Sequence, residues 1–412
     1  MSSSCCTSVR KMETVSEESK ESSWFRGWLQ WSPTSVTMLR AAEKKILSCL
    51  KSAYRGWYVD IGPLVGPADK IWTISLNQES TKTPILLLHG LGSGVALWCL
   101  NLDSFAATRP VYAIDILGFG RSSRPTFSHD ALVAERQLVN SIEEWRREIQ
   151  LDKIILLGHS LGGFLASSYA IHYPDRVKHL ILADPWGFPE RPADIAQRYS
   201  VPLWVRAIVY VTQPFNPFWA VRAAGPFGQW VIEKARPDIM KKFSSFVSGD
   251  VNVIPQYIFQ CNAQNPTGEA AFRAMAASFG WAKHPMIHRM DTLRKDIPIT
   301  VLYGSRSWVD NASGELILEK RPDSYVNVQV ITGAGHHVYA DKAETFNRHV
   351  IEACILADTG DTRKILSMQT KSSSPTDELE EETSNTESEE NISATNSTNA
   401  ISHPFPQQKP SS

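Results

Sequence analysis

Lys153-Ile-Ile-Leu-Leu-Gly158-His-Ser160-Leu-Gly162-Gly163 is the stretch on which the fold turns. Residues 154–157 are a short unbroken apolar run, the pattern of a strand covered on both faces. A helix-like segment, Leu161 to His172, follows at once. Between them stands Gly-x-Ser-x-Gly, residues 158–162. A chain that turns this sharply from strand to helix strains the backbone at the apex and leaves the apical hydroxyl exposed. Glycines two residues to either side let strand and helix approach where a larger side chain would block them. The motif's context, strand before and helix after, marks Ser160 as a candidate nucleophile.

Working outward, similar apolar runs recur at 85–88, 111–116, 180–183, 299–303 and 326–331. Helical patterns lie between them. The clearest runs from Ala131 to Gln150, where Leu138, Val139, Ile142, Trp145 and Ile149 form one apolar stripe. This alternation predicts an α/β protein with a doubly wound, mostly parallel central sheet flanked by helices. It breaks between about Trp186 and Asp296. That stretch holds Trp204, Phe215, Phe218, Trp219, Phe227, Trp230, Phe243, Phe246 and Trp281, with helical signals and no clear strand. So long a connection is normally an inserted element with a job. It reads as a helical cap over the carboxyl edge of the sheet, and the whole as an alpha/beta-hydrolase fold.

A serine hydroxyl needs a base to take its proton, and in this fold the acid and then the histidine follow the serine in the chain. Gly333-Ala-Gly335-His336 directly follows the run 326–331, so His336 is the expected base, with His337 as its rival. A carboxylate must hold the imidazole's tautomer. Asp310 follows the run 299–303 and precedes His336 by 26 residues. It is the expected acid, ahead of Asp323, whose Arg-Pro-Asp-Ser context reads as a turn. Two backbone N–H groups should stabilise the oxyanion. One comes from Leu161, after the nucleophile. The other comes from Leu91 in His89-Gly-Leu-Gly92. His89, His159, His336 and His337 do not share a helix at ligand spacing, so no metal and no cofactor is expected.

Composition narrows the function classes. The chain has 412 residues, 42% apolar, with a net charge of -1, which gives no case for nucleic-acid binding. Its 6 cysteines (Cys5, Cys6, Cys49, Cys99, Cys261 and Cys354) are scattered, so neither a disulfide framework nor a zinc site is expected. Met1 to Ser23 is too polar for a secretory signal. The apolar segment from Val201 to Val211 is too short to span a membrane. Three regions are expected: an arm over 1–45, a hydrolase domain over 46–360 with its cap at about 186–296, and a tail over 361–412 rich in Ser, Thr, Glu and Asn. The tail has too few apolar groups to offset chain entropy and is expected to be disordered. In the arm, Trp24, Trp28 and Trp31 fall at spacings of four and three, on one face of a helix. Tryptophan suits a lipid–water boundary, so the arm is expected to anchor the protein at a lipid surface. Cys5 and Cys6 are candidate palmitoylation sites.

His89-Gly-Leu-Gly, Asp115-Ile-Leu-Gly-Phe-Gly-Arg-Ser-Ser123, Gly158-His-Ser-Leu-Gly-Gly163, Arg321-Pro-Asp-Ser-Tyr325 and Gly335-His-His-Val-Tyr-Ala-Asp341 together resemble one lipid-metabolising subgroup of α/β-hydrolases. It contains the lipid-droplet coactivator of adipose triglyceride lipase and an N-acyl-phospholipid lipase. The resemblance covers about Trp24 to Ala357. It implies a carboxylic ester hydrolase of phospholipid, lysophospholipid or glycerolipid, working through an acyl-Ser160 intermediate. The coactivator branch carries Asn at the elbow, so Ser160 is similar to the lipase branch. Arg306 and Gly335, by contrast, resemble the coactivator's lipase-activating positions. They imply a second function, activation of a triglyceride lipase, with that lipase or a droplet coat protein as partner. His336-x-x-x-x-Asp341 resembles the family's motif linked with acyl transfer to lysophosphatidic acid. His336 is already the expected base, so acyl transfer is expected only through the same acyl-serine. A Trp-rich arm like the coactivator's implies a cytoplasmic, peripheral protein of lipid droplets or internal membranes, with the mitochondrion as a further compartment.

Overall fold

In the computed structural model, residues 34–192, 216–243, 246–247, 250, 252–278 and 280–360 are described. Trp24, Trp28, Trp31, Cys5, Cys6, Trp204, Phe215 and the segment 201–211 lie outside them. So does the tail expected over 361–412. The described residues up to 357 form one compact unit, which holds the sheet and the site described below.

The centre is an eight-stranded sheet: β1 Tyr54–Gly62, β2 Asp69–Leu76, β3 Ile85–Leu88, β4 Val111–Ile114, β5 Ile154–His159, β6 Val177–Ala183, β7 Ile299–Gly304 and β8 Val326–Ile331. Their order across it is β1-β2-β4-β3-β5-β6-β7-β8. Only β2 runs against its neighbours. It pairs antiparallel with β1 and β4, and every other pairing is parallel. The expected fold class is therefore the one found. The six runs read from the sequence are strands. Burial on both faces keeps the central ones apolar, as in β3 and β5, which are buried at every position, whereas β8 at the far edge is mostly half-buried and carries Asn327 and Gln329. The two leading strands were not expected. β1 alternates exposed and buried positions and carries Arg55, Gly56 and Asp60. It is an edge strand whose pattern is too polar to read as core.

Helix α1, Val36–Leu47, opens the described chain. Ser35 caps it, its hydroxyl accepting from Met38 N at 3.3 Å. Leu39, Ala42, Ile46 and Leu47 face inward. Glu43, also buried, pairs with Arg121 at 2.5 Å, and that guanidinium lies 3.4 Å over the Trp72 ring. The boundary drawn at 45 thus falls inside a helix that belongs to the compact unit.

Helix α2, Ala131–Glu148, is started by Asp130, whose carboxylate accepts from Leu132 N and Val133 N at 3.0 and 2.9 Å. Its stripe packs as the spacing requires: Leu138, Val139, Ile142 and Trp145 are wholly buried, which stabilises the fold by roughly 1.5–3 kcal/mol for each side chain. Helix α3, Leu161–His172, is buried throughout from Leu161 to Ala170 and packs against α2 and β5.

Between β6 and β7 the described chain is mainly helical. It includes a short helix at Trp219–Ala223, then α4 Gly228–Ala235, α5 Pro237–Phe243, α6 Val253–Asn262 and α7 Thr267–Met275. It also contains a small hairpin, Ala276–Ser278 against Trp281–Ala282, which the sequence reading did not foresee. The hairpin is too short to show a period of two. Helix α6 packs on both α1 and α4. Helix α8, Ala312–Lys320, links β7 to β8, and α9, Ala343–Thr359, follows β8.

Candidate active site

Three loops at the carboxyl ends of β5, β6 and β8 meet at one point. Ser160 caps α3 with φ 52° and ψ -116°. A non-glycine residue held there stores of order 1–3 kcal/mol of strain, which only dense surroundings can maintain. The surroundings are dense: a Cβ added at Gly158 would lie 2.2 Å from Gly162 O, and one added at Gly162 would lie 2.3 Å from Leu88 O. Both glycines of the motif are therefore required by contact.

His336 Nε2 is 3.0 Å from Ser160 Oγ. The structure thus chooses between the two adjacent histidines. His337 turns into a buried apolar space, where its Nδ1 has no hydrogen-bond partner. His159 Nε2 donates to His336 O at 2.9 Å and so fixes the turn that carries the imidazole.

The carboxylate on the imidazole is Asp184, not Asp310. Asp184 Oδ2 lies 2.5 Å from His336 Nδ1. Its other donors are Gly304 N, at 3.1 Å from Oδ1, and the Ser307 hydroxyl on Oδ2. Asp184 is wholly buried and, like Ser160, has a positive φ, 46°. Asp310 is exposed, and its carboxylate accepts from Ala312 N at 2.9 Å, at the start of α8. The expectation for Asp310 is corrected accordingly. Its loop presents Trp308 to the histidine instead, ring centroids 4.9 Å apart. Asp323 is exposed too and pairs with Lys295 at 2.8 Å.

Leu161 is the first residue of α3, where N–H groups have no acceptor within the helix. Leu91 sits in the loop after β3, which is pressed onto the elbow: a Cβ at Gly90 would lie 3.1 Å from Ser160 Cβ. That loop is held from the insertion, where Asn262 Nδ2 donates to Gly92 O at 2.8 Å. Beside it lies a cavity of about 150 Å³, walled mainly by apolar groups including Leu91, Phe218, Val221, Ile232 and Ile258.

Charge in the site is strongly shaped by burial. Burial pushes the His336 imidazole down, and the Arg236 and Lys242 cations push it further, while Asp341 opposes them. The base is therefore neutral and can accept a proton. Burial pushes Asp184 up, and its hydrogen bonds from Ser307 and Gly304 pull it back. With three donors converging on it, the carboxylate is well placed to stay ionised beside an imidazolium. Burial, and the proximity of His336, push His159 down to about 3.

The remaining expected site residues are spread around this centre. Asp341 is not on the imidazole. Its Oδ2 accepts from Gly335 N at 2.9 Å, and its Oδ1 pairs with Lys242 Nζ at 2.9 Å. Arg306 is exposed and donates from Nε to Gly333 O at 3.1 Å, on the turn that also holds Gly335. Sequence reasoning missed Asp184, Ser307, Asn262 and Lys242. Only Asp184 had a signal, since it directly follows the apolar run 180–183, as Ser160 follows the strand before it.

Residues 83–343 match the family described as alpha/beta hydrolase fold. Over 339 residues the chain is 48% identical to the (Lyso)-N-acylphosphatidylethanolamine lipase of Bos taurus, spanning 81% of this chain and 97% of that one. It is 49% identical over 339 residues to the 1-acylglycerol-3-phosphate O-acyltransferase ABHD5 of Sus scrofa, spanning 81% and 95%. Among solved structures it resembles naproxen esterase from Bacillus subtilis, with a TM-score of 0.54 at 15% identity over 76% of this chain and 96% of that one. A bacterial membrane phospholipase A is similar, with a TM-score of 0.54 at 19% identity over 82% and 96%. Those two likenesses concern the fold alone.

Proposed function

The chain belongs to the alpha/beta hydrolase fold family, and from that premise we propose that it hydrolyses lipid acyl esters through an acyl-enzyme on Ser160. The observation that carries this is the hydrogen-bonded chain Ser160–His336–Asp184 beside an apolar cavity. His336 Nε2 takes the Ser160 proton as Oγ attacks the ester carbonyl, and Asp184 stabilises the resulting imidazolium. The N–H groups of Leu91 and Leu161 receive the oxyanion. The imidazolium then protonates the departing alcohol. Water, deprotonated by the same nitrogen, attacks the acyl carbon and releases the fatty acid, and the proton returns to Ser160. A lipid alcohol in place of that water makes the same site an acyltransferase.

The lipase and acyltransferase names of the two curated relatives support a phospholipid, lysophospholipid or glycerolipid substrate. An acyl chain suits the apolar cavity. The proposed setting is the cytoplasmic face of lipid droplets or internal membranes, with Trp24, Trp28 and Trp31 as the anchor. Among the described residues no helix is long and apolar enough to cross a membrane. A second reading, activation of a triglyceride lipase, is favoured by Arg306 being hydrogen-bonded to the turn that holds Gly335. Arg306→Ala should then weaken stimulation of that lipase.

The hydrolase reading is tested by fluorophosphonate labelling and ester turnover of the protein against Ser160→Ala. Labelling should vanish and turnover should fall by about 10⁴ or more, with the melting temperature preserved. Equal labelling of both proteins would refute the proposal.

A further inference from the structure

We infer that Asp341 is a positioning residue that latches the turn carrying His336 to helix α5 of the insertion. One carboxylate oxygen holds Gly335 N, the backbone group immediately before His336, at 2.9 Å. The other pairs at 2.9 Å with Lys242, near the end of α5. The two side chains are only 14% and 15% exposed, so water screens the pair weakly. Lys242 also approaches Asp238 at 3.5 Å on its own helix, and Asp238 binds Arg236 at 2.9 Å, so the α5 cations arrive already arranged. The turn on the other side is equally fixed, by His159 donating to His336 O and by Asp184 on Nδ1. A single carboxylate therefore sets the backbone of the base from one side and ties it to the insertion from the other.

This assigns the Asp of His336-x-x-x-x-Asp341 a task that needs no second active site. Helix α5 supplies Ile239 to the apolar cavity, and Arg236, just before it, lines the cavity as well. The cavity wall that α5 supplies and the placement of the base are thereby coupled through one ion pair. The inference rests on the hydrolase reading above.

The charges facing His336 give a readout that a merely structural contact would not move. They are Asp184 after β6, Arg236 and Lys242 from the insertion, Asp341 from its own turn, and the neutral His159 and His337, with the Trp308 ring alongside. Lys242 opposes a positive charge on the imidazole and Asp341 favours it. Since kcat/KM needs the neutral base, Lys242→Met should move the acid limb of its pH profile upward. Asp341→Asn keeps an acceptor for Gly335 N but loses the anion, and should move that limb downward.

The experiment measures kcat, KM and the pH profile on a soluble short-chain ester, acyl transfer to a lysophospholipid acceptor, and melting temperatures, for both variants, their double, and Lys242→Arg. Each single variant should lower kcat about tenfold. The double should be no worse than the worse single, and Lys242→Arg should restore the wild-type limb. Multiplicative losses, or an acid limb unmoved in both singles, overturn the latch while leaving the hydrolase reading intact. Loss of acyl transfer alone in Asp341→Asn, with hydrolysis and Lys242→Met unaffected, overturns it in favour of a separate acid role. A wild-type protein that neither labels nor turns over overturns both readings.

Discussion

Replacing Asp184 by Asn separates the acid that the structure supplies from the one that spacing suggests. The amide keeps the size of the carboxylate but brings two N–H donors to a place where three donors already converge. Gly304 N, a fixed backbone donor, keeps the amide oxygen, so the NH2 faces the Ser307 hydroxyl and His336 Nδ1. Relief comes by flipping the imidazole tautomer, which puts the proton on Nε2, the nitrogen that should take one from Ser160. In serine hydrolases that error costs about 10⁴ in kcat, so a loss of about 10³–10⁴ is expected, or roughly 4–5.5 kcal/mol of transition-state stabilisation. Asp310→Asn touches only the start of α8, where Asn caps as well as Asp does, and turnover should stay within about twofold. The assay is kcat and KM on a soluble short-chain ester at neutral pH, with melting curves to show that both variants fold. A fall of about 10³ in Asp310→Asn beside near-normal turnover in Asp184→Asn would refute the assignment.

Other outcomes follow from the same geometry. Ile258 lies on the cavity wall, so Ile258→Trp should lower the ratio of long-chain to short-chain ester turnover, by about tenfold or more. A chain-length series of chromogenic esters measures it, and an unchanged ratio would place the acyl chain elsewhere. Burial and the neighbouring Asp115 carboxylate push Glu43 up to about 8 from 4.5, against the pull of Arg121. Between those pH values the unfolded chain gives up that proton more readily than the folded one, so stability should fall as pH rises through the window. Thermal melts from pH 5 to 8 should show that decline in the wild type and a flatter profile in Glu43→Gln. Equal slopes would mean that Glu43 stays ionised beside Arg121 throughout.

The sheet was legible in the sequence where burial on both faces forced a strand to be apolar without a break, as at 85–88 and 154–157. It was not legible at β1, whose outer position lets Arg55 and Asp60 alternate with apolar residues. The helical character of the insertion was visible from its composition and its strands of three and two residues were not, since so few residues show no periodicity. The elbow was legible because steric contact dictates it. A Cβ at Gly158 or Gly162 would lie 2.2–2.3 Å from a backbone oxygen, so the sequence has to record them.

The acid differs in kind, because nothing steric identifies it. A carboxylate that orients an imidazole needs only to reach it, and in a parallel sheet every strand of the central row ends at the same edge. Spacing favoured Asp310, which sits in a loop after β7 and before the histidine. In the fold that loop turns outward and spends its carboxylate on Ala312 N. Register makes the choice: His159 pairs with Ala183 and Ala183 with Leu302. The residue after β6 therefore lies beside the elbow, one strand over, while the Asp310 carboxylate belongs to a loop two strands away. Asp184 also receives Gly304 N from the end of β7, so the strand that might have supplied the acid instead supplies a donor to hold it. A buried carboxylate without such donors would be driven to protonate. What fixes the acid is thus a shared backbone edge, a property of pairing between strands that no single stretch of the sequence contains.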